Sequence, residues 1–353
     1  MNRQVLRKYV MSQLLEISES TVNTEELRCV LEQLLRQHFQ SPVTVLSIER
    51  TPSQYHSSFP IEELKVTLDN GSHLNVIFKN LSDEALLENA RDAKPEFIRN
   101  PRREIEVYEK LLSQENLGTA VFYGAVADNH PNRFWLFLEE APGVELYQVG
   151  DLSLWQEAAR WLGRMHGRFA DRTSDLERYS HLLNRDANFF WTWIRRAEEF
   201  ERNDSSPQHR ALIKRLVSGF DKVIAKLNTL PATFIHGEFY ASNVLIDERG
   251  EGVRVCPVDW EMAGIGPGLI DLAALVSGNW REDERSAMAK AYHSVAHPDE
   301  SPTNLEEFLT ALDYCRLALA VQWLGWSPGW IPPVEHRHDW SKEAMQLADK
   351  LGL

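Results

Sequence analysis

One stretch of the chain, residues 233–275, restricts the possible fold more than any other feature. It reads TFIHGEFYASNVLIDERGEGVRVCPVDWEMAGIGPGLIDLAAL. Three short apolar segments typical of strands, 232–235, 244–246 and 253–258, alternate with polar residues. The polar residues that can carry chemistry are His236, Glu238, Asn243, Asp259 and Asp271. A strand, a polar loop and a hairpin ending in a carboxylate would bring a base and two metal ligands together.

The length and composition of the chain exclude several classes of protein. Its 353 residues exceed a usual single core, which predicts two lobes. A formal net charge of -14 argues against nucleic acid or an anionic membrane as the main partner, because both require basic patches. The three scattered cysteines indicate neither a zinc site nor a disulfide framework and favour a reducing, cytoplasmic setting. We identify no signal peptide and no apolar run long enough for a membrane span.

The order of patterns along the chain predicts an α+β protein with a small β-rich lobe followed by a helical one. Residues 1–40 form a helical extension in which Thr24 would cap a helix. Residues 41–141 contain five antiparallel strands and one helix, with a hairpin at DNGS. The turn at Ala141-Pro142-Gly143 is the expected hinge. Residues 142–353 are mainly helical and include the stretch 233–275.

Two upstream residues have both a simple and a functional interpretation. Lys79 ends an apolar strand, where an isolated lysine is usually a solvated edge residue. Glu104 lies in the first turn of a helix predicted over 101–114, where a negative charge is favourable in any protein. Together, however, a strand lysine and a helix glutamate are the pair that fixes nucleotide phosphates in phosphoryl-transfer enzymes.

The stretch 233–275 supplies the remaining parts of such an enzyme. Asn243 and Asp259 offer the oxygen ligands that Mg²⁺ prefers, with phosphate oxygens completing the shell. Glu238 would position or deprotonate a hydroxyl group. Asp271 alone is typical of a residue that caps the following helix. The combination predicts transfer of the γ-phosphoryl of ATP to a hydroxyl group.

The motifs resemble those of the aminoglycoside phosphotransferase and choline kinase-like family, a branch of the protein-kinase fold. The family pattern H-G-D-x4-N is present as HGEFYASN, the metal-binding aspartate lies in VDW, and the later D-L-A pattern occurs in GPGLIDLAAL. The hinge segment LEEAPG is similar to the acidic-x-x-Gly pattern of the family. The resemblance covers roughly residues 42–325 and implies a bilobal protein-kinase-like fold.

The resemblance also implies roles for individual residues. Lys79 would bind the α and β phosphates and Glu104 would orient it, while Glu139 and Ala141 would offer backbone groups to adenine. The other roles fall within 233–275. His236 would brace the loop, Glu238 would be the base, Asn243 and Asp259 would bind Mg²⁺, and Asp271 would hold the catalytic loop.

The sequence departs from the family pattern at two places. The base is Glu238 instead of aspartate, which shifts the carboxylate by about 1 Å, and misplacement on that scale can cost ~100-fold in rate. The predicted phosphate-covering loop, TPSQYHSSFP, contains no glycine. Hydroxyl groups of Ser53, Ser57 and Ser58 would replace backbone donors there, and Ser57 is our candidate.

The acceptor would bind between Glu238 and the helices after residue 275. Four tryptophans in this region suit either a core or a cavity for a ring or an alkylammonium group: Trp323, Trp326, Trp330 and Trp340. Glu335, Asp339 and the negative net charge are compatible with a cationic acceptor. The candidates are an aminoglycoside, an amino alcohol or another hydroxylated metabolite. Two other functions remain open, a nucleotide-binding protein with weak catalysis and a metal-dependent hydrolase.

Overall fold

The computed structural model describes residues 22–53, 55, 58–129, 132–201, 206–296, 305–327 and 337–353. The chain divides into two compact units. The first comprises Met1–Arg91 and Ala120–Glu140, and the second comprises Asp92–Thr119 and Ala141–Leu353. The chain passes from the first unit to the second between Glu140 and Ala141, at the start of the predicted hinge.

In the described residues, the first unit contains an antiparallel five-stranded sheet and a helix of 16 residues. The helix is α1 (Thr24–Phe39), and the strands are β1 (Val45–Pro52), β2 (Ile61–Leu68), β3 (His73–Asn80), β4 (Phe122–Asp128) and β5 (Arg133–Glu139). The strand order is β1-β2-β3-β5-β4. Leu27, Leu31 and Leu35 recur at helical spacing and are fully buried, so α1 and the sheet share one core.

The residue that caps α1 differs from the sequence prediction. The N-cap is Asn23, and its side-chain oxygen accepts hydrogen bonds from the backbone N–H groups of Glu25 and Glu26. Thr24, which we predicted as the cap, is the first helical residue and its hydroxyl accepts from Arg50 Nη1. Asparagine is at least as good a cap as threonine, and one position earlier it reaches two free donors.

The second unit contains most of the helices and two small sheets. Helix α2 (Glu88–Ala93) leads into it from the first unit. Its further helices are α3 (Pro101–Glu106), α4 (Leu152–Ala170), α5 (Thr173–Leu176), α6 (Ala187–Glu201), α7 (Pro207–Leu227), α8 (Leu269–Leu275), α9 (Glu282–Ala296), α10 (Leu305–Leu324) and α11 (Trp340–Lys350). Its strands are β6 (Val144–Glu145), β7 (Leu183–Asn184), β8 (Ala232–Ile235), β9 (Val244–Gly250), β10 (Gly252–Pro257) and β11 (Gly264–Pro267).

Helix α4 illustrates why the helical unit folds as it does. The apolar residues that recur at helical spacing in the sequence are all buried: Leu154, Ala158, Trp161, Leu162, Met165 and Phe169. Asp151 caps the helix by accepting from the backbone N–H of Ser153. His166 is also buried. The apolar residues at helical spacing therefore form the core-facing side of this helix.

Two three-stranded sheets hold the stretch 233–275. One has the order β10-β9-β6 and the other β7-β11-β8. Strand β11 pairs antiparallel with β8. This pairing fixes both ends of the segment that contains the candidate residues. Within the described part of the chain, no helix is long and apolar enough to cross a membrane.

Candidate active site

The candidate loop joins β8 to β9 and is tightly turned. The backbone N–H of Tyr240 donates to Glu238 O at 2.7 Å, and the N–H of Asn243 donates to Tyr240 O at 2.8 Å. Residues 241–243 then form one turn of 3-10 helix before β9 begins. Because consecutive backbone groups are committed within the loop, its side chains project from a defined backbone.

Gly237 occupies a position that only glycine can fill. Its φ is +89°, in the left-handed region. A Cβ atom there would lie 2.2 Å from Met262 O and 2.5 Å from Arg185 Nη2. The second residue of the HGE motif is therefore fixed by backbone conformation and by space.

Asp271 is hydrogen-bonded to the start of the loop. Its carboxylate is fully buried and accepts from the backbone N–H groups of His236 and Gly237, each at 2.7 Å. His166 Nε2 donates to the same carboxylate at 3.2 Å. Burial alone would raise the pKa of Asp271, but His166, His236 and the Gly237 N–H hold it below its usual value. The negative charge of Asp271 therefore stabilises the backbone N–H groups at the start of the loop.

Both ring nitrogens of His236 make hydrogen bonds within the protein. Its Nδ1 accepts from the backbone N–H of Glu238 at 3.2 Å, and its Nε2 donates to Val258 O at 2.9 Å. Both ring nitrogens are thus committed within the protein. Complete burial lowers the pKa of the imidazole, which keeps the ring neutral. The ring ties the loop to the strand that leads to Asp259.

Glu238 lies partly buried in a cluster of charges. Burial, reinforced by the nearby carboxylates of Glu261 and Asp259, raises its pKa to about 8, although Lys94 and Arg185 act in the opposite direction. A carboxyl group with such a pKa is poised to take up and release a proton near neutral pH. This is the property required of a general base.

Asn243 and Asp259 are brought together by the β9–β10 hairpin. Val244 is paired with Pro257, and the backbone N–H of Val258 donates to Asn243 O at 2.9 Å. The side-chain nitrogen of Asn243, Nδ2, donates to Glu238 O at 3.0 Å. The side-chain oxygen, Oδ1, is therefore the atom of this amide that could bind a cation. Asp259 has a φ of +65°, a strained conformation for a residue other than glycine.

Glu104 is placed beside this hairpin. It is 2% exposed, and Oε1 accepts from the backbone N–H of Trp260, the residue after Asp259, at 3.3 Å. A buried carboxylate is more than a favourable surface charge at a helix N-terminus. The predicted helical segment 101–114 is helical throughout, since α3 continues as a π-helical turn at Val107–Leu111 and a 3-10 turn at Leu112–Gln114.

The candidate nucleotide-binding residues outside this cluster lie mostly in the first unit. Lys79 is 7% exposed on β3, between β2 and β5, so it is not the solvated edge residue that a lone strand lysine usually is. Glu139 ends β5, and its backbone N–H donates to Val121 O. Ala141 begins the second unit. The pairing of Lys79 with Glu104 remains a prediction.

The predicted phosphate-covering loop is only partly described. Ser57 lies outside the described residues. Ser53, the first serine of this segment, is buried and its Oγ donates to Glu63 Oε1 at 2.8 Å. Ser53 therefore uses its hydroxyl within the sheet.

Comparison with known proteins agrees with this geometry. Residues 70–308 match the model of the phosphotransferase enzyme family. The chain belongs to that family. The match contains Lys79, Glu104, Glu139, Ala141 and the five candidate residues of 233–275, so the expected family is confirmed. The candidate serines of 51–60 and the candidate acceptor-site residues after 308 lie outside it. No curated protein matches the chain significantly.

Solved structures show that this phosphotransferase has the expected fold. A choline kinase from Cryptosporidium parvum has a TM-score of 0.58 at 13% identity and covers 93% of this chain and 94% of its own. An ethanolamine kinase from Plasmodium vivax has a TM-score of 0.57 at 14% identity, with coverage of 87% and 82%. A GDP complex of aminoglycoside 2′-phosphotransferase-IIIa has a TM-score of 0.56 at 11% identity, with coverage of 92% and 97%. The predicted α+β, protein-kinase-like fold is confirmed.

The sequence motifs did not indicate Arg185, which also lies at the candidate site. Arg185 follows β7 and is buried, with Nη2 donating to Gly237 O at 3.0 Å and Nη1 donating to Gln322 Oε1 at 3.2 Å. Its guanidinium lies 4.8 Å from the centre of the Phe189 ring. Arg185 thus links the catalytic loop to α10. No motif surrounds it in the sequence, and a lone arginine before a helix is typical of a solvated residue.

Two further residues that the motifs did not indicate lie beside Glu238. Lys94 and Glu261 form an ion pair in which both side chains are largely buried. Both groups act on the pKa of Glu238, in opposite directions. Lys94 precedes a proline in a polar segment, and Glu261 directly follows the VDW motif, so the separation of 167 residues concealed the pair.

The aromatic residues near the loop form a connected group. Trp323 Nε1 donates to the hydroxyl of Tyr240 at 2.6 Å, and the Trp323 ring stacks on Trp340 with centres 5.6 Å apart. Trp326 stacks on Trp193 at 5.4 Å. Trp330 and Glu335, which we also proposed for the acceptor site, lie outside the described residues. Asp339 caps α11, and its carboxylate accepts from the backbone N–H of Lys342. This capping bond explains an aspartate at this position without any contact to a phosphoryl acceptor.

Proposed function

We propose that this phosphotransferase transfers the γ-phosphoryl of ATP, with Mg²⁺, to a hydroxyl group of a small molecule. The observation that carries the proposal is the grouping of Glu238, Asn243 and Asp259 on one loop and hairpin, braced by the buried Asp271. A base and two oxygen ligands fixed to the same backbone are the minimum that phosphoryl transfer requires.

The donor set fits a magnesium ion. Asn243 offers its side-chain oxygen Oδ1, because its side-chain nitrogen Nδ2 donates to Glu238 O, and Asp259 offers a carboxylate. Hard cations such as Mg²⁺ prefer oxygen ligands and accept phosphate oxygens and water as the remainder. When bound, the ion would neutralise negative charge on the phosphates.

The residues of the chain have separate tasks in this proposal. Glu238 accepts the proton of the acceptor hydroxyl as its oxygen bonds to the γ-phosphorus. The bond between that phosphorus and the β–γ bridging oxygen breaks, and ADP leaves with the bridging oxygen. Asp271 and His236 keep the loop in place, and Arg185 supports it from the side of α10. Lys79 binds the α and β phosphates, and Glu104 orients the Lys79 side chain. Glu139 and Ala141 offer backbone groups to adenine. Most of the rate enhancement then comes from positioning.

The acceptor binds on the side of Tyr240 and Trp323 in this proposal. These two aromatic side chains extend from the catalytic loop and from α10, and they are joined by a hydrogen bond. Aromatic faces favour a ring or an alkylammonium group. Aminoglycosides and amino alcohols both have hydroxyl groups next to a cation, which the net charge of -14 also favours.

One observation favours a second candidate function, a nucleotide-binding protein with weak catalysis. Glu238 replaces the usual aspartate, and its raised pKa keeps much of it protonated at pH 7. Replacement of Glu238 by aspartate separates the two functions. A large gain in turnover would identify a weakened enzyme, whereas a loss would show that the site is built around glutamate.

The proposal is tested by γ-labelled ATP, Mg²⁺ and a panel of amino alcohols, aminoglycosides and hydroxylated metabolites. We expect label to appear on at least one acceptor and ATP with Mg²⁺ to raise the melting temperature. If no label is transferred to any member of the panel and ATP leaves the melting temperature unchanged, the proposal is wrong.

The charges around Glu238 predict the pH dependence. Because its pKa is raised to about 8, the fraction of ionised base increases with pH from neutral towards 8, and kcat/KM rises with it. Replacement of Glu261 by glutamine removes a neighbouring negative charge and leaves Lys94 unneutralised. Both effects favour ionised Glu238, so we expect the rising limb to move to lower pH. An unchanged limb in the Glu261→Gln variant would contradict this assignment.

A further inference from the structure

A pocket opens among the helices of the second unit. Its volume is about 390 Å³, and residues from α4, α7, α8, α9 and α10 line it. The floor consists of buried residues, among them His166, Tyr292 and Phe308. The candidate active-site residues Glu238, Asn243 and Asp259 do not line it. Pockets of this size hold small organic molecules.

Gly167 indicates that the pocket is kept open. It is exposed in the interior of α4, where glycine costs about 1 kcal/mol relative to alanine. A Cβ atom at Gly167 would meet no atom within 4 Å, so packing does not require glycine there. Gly163, one turn earlier, differs because its Cβ would lie 2.6 Å from Val295. A side chain at Gly167 would instead project into open space beside the pocket.

The polar groups of the floor are already used inside the protein. His166 Nδ1 lies 2.9 Å from the hydroxyl of Tyr292, and His166 Nε2 bonds to Asp271. The hydroxyl of Thr233 donates to His166 O at 2.9 Å. The floor therefore offers mainly aromatic and aliphatic surface to a ligand. A molecule that fits it has an apolar body.

The ionic groups of the pocket lining are Lys226 and Glu307. Their side chains are 26% and 76% exposed, and Nζ lies 3.6 Å from Oε1. An exposed ion pair of this kind contributes about 0–1 kcal/mol, so a ligand carboxylate can replace Glu307 at small cost. Glu307 then turns into solvent, whereas the less exposed Lys226 stays at the pocket. This asymmetry selects a ligand with one negative charge.

The floor is also connected to the catalytic loop by hydrogen bonds. His166, which faces the pocket, bonds to Asp271, and Asp271 accepts from the backbone N–H groups of His236 and Gly237. A ligand that limits the motion of the His166 ring therefore also limits the motion of the Asp271 carboxylate, to which the loop is bonded. The regulatory part of this inference rests on the proposed function, whereas ligand binding does not.

We infer that this pocket binds a small monocarboxylate with an apolar body, anchored by Lys226, and that binding stabilises the catalytic loop through His166 and Asp271. Octanoate, 1-octanol and octylammonium carry the same body with a negative, neutral or positive end. Calorimetric titration of the full chain, without ATP or acceptor, measures their binding. We expect octanoate to bind at least about 10-fold more tightly than the other two.

Two variants with matched controls locate the site. Gly167→Met adds a long side chain at a lining residue, with no atom within 4 Å of its Cβ, and should weaken octanoate binding at least about 10-fold. Gly150→Met is the control, since it places the same side chain at another exposed glycine with no atom within 4 Å of its Cβ. Lys226→Met should abolish the preference for octanoate over octanol, whereas Lys222→Met on the same helix should not.

Hydrogen exchange tests the link to the loop. Saturating octanoate should slow exchange of the His236 and Gly237 amides in the wild-type protein. The site assignment is overturned if octanoate does not bind saturably, if octylammonium binds as tightly, or if Gly167→Met binds octanoate like wild type. The link is overturned if octanoate binds and the exchange of these two amides does not change. A lack of kinase activity would affect neither measurement.

Discussion

Replacement of Asp259 by asparagine is expected to reduce Mg²⁺-dependent turnover about 100-fold or more, because a neutral amide binds the cation far more weakly than a carboxylate. Asparagine has nearly the same shape and tolerates the left-handed conformation that Asp259 adopts at φ +65°. The backbone of the hairpin should therefore remain as it is. Turnover and calorimetric binding of ATP with Mg²⁺ are the measurements.

Asp247→Asn is the matched control for this variant. Asp247 lies on the same hairpin, in β9, and its carboxylate pairs with Arg249 near the surface. This control removes one negative charge from the same hairpin but leaves the proposed metal ligands unchanged. We therefore expect wild-type turnover from it. Undiminished turnover of Asp259→Asn would remove Asp259 from the site.

Replacement of Asp271 by asparagine should affect both stability and activity. One of the two carboxylate oxygens that accept from His236 and Gly237 would become an N–H donor facing another donor. Losing a charged hydrogen bond and leaving a buried donor unsatisfied costs about 3 kcal/mol in the free energy of unfolding. Displacement of the loop by about 1 Å would lower turnover ~100-fold. Denaturant unfolding and steady-state kinetics measure the two effects.

Asp283→Asn distinguishes this role from a general helix effect. Asp283 is also in the first turn of a helix, α9, but its side chain is 71% exposed and pairs with Arg281. Any interaction of the charge with the helix dipole is lost in both variants, whereas only Asp271→Asn disturbs the loop. Equal stability losses in the two variants would contradict the bracing role.

The parts of the site that follow one another in sequence were predictable. Apolar strands flanking HGEFYASN and ending at VDW indicate where a loop and a hairpin lie, because strand period and turn residues are local signals. The glycine in this motif is local too, since Gly237 needs a left-handed backbone. What the motif does not contain is the reason for the tight fit, which is the contact with Arg185 and Met262.

The parts that depend on distant pairing were not predictable from one sequence. Arg185, Lys94 and Glu261 reach the loop only because β7 pairs with β11 and because segment 92–119 packs in the helical unit. Local propensity carries no information on such pairings. The raised pKa of Glu238 is of the same kind, since it results from burial and from charges brought in by other elements.

The central claim is that Glu238 is the base of a phosphoryl transfer, and label transfer from γ-labelled ATP by the Glu238→Gln variant tests it most directly. Glutamine preserves the backbone bonds of Glu238 to His236, Tyr240 and Asn243 but cannot accept a proton. With the best acceptor found for the wild type, we predict a loss of about 100-fold or more in turnover and little change in ATP binding. Label transfer at the wild-type rate by Glu238→Gln would contradict the account.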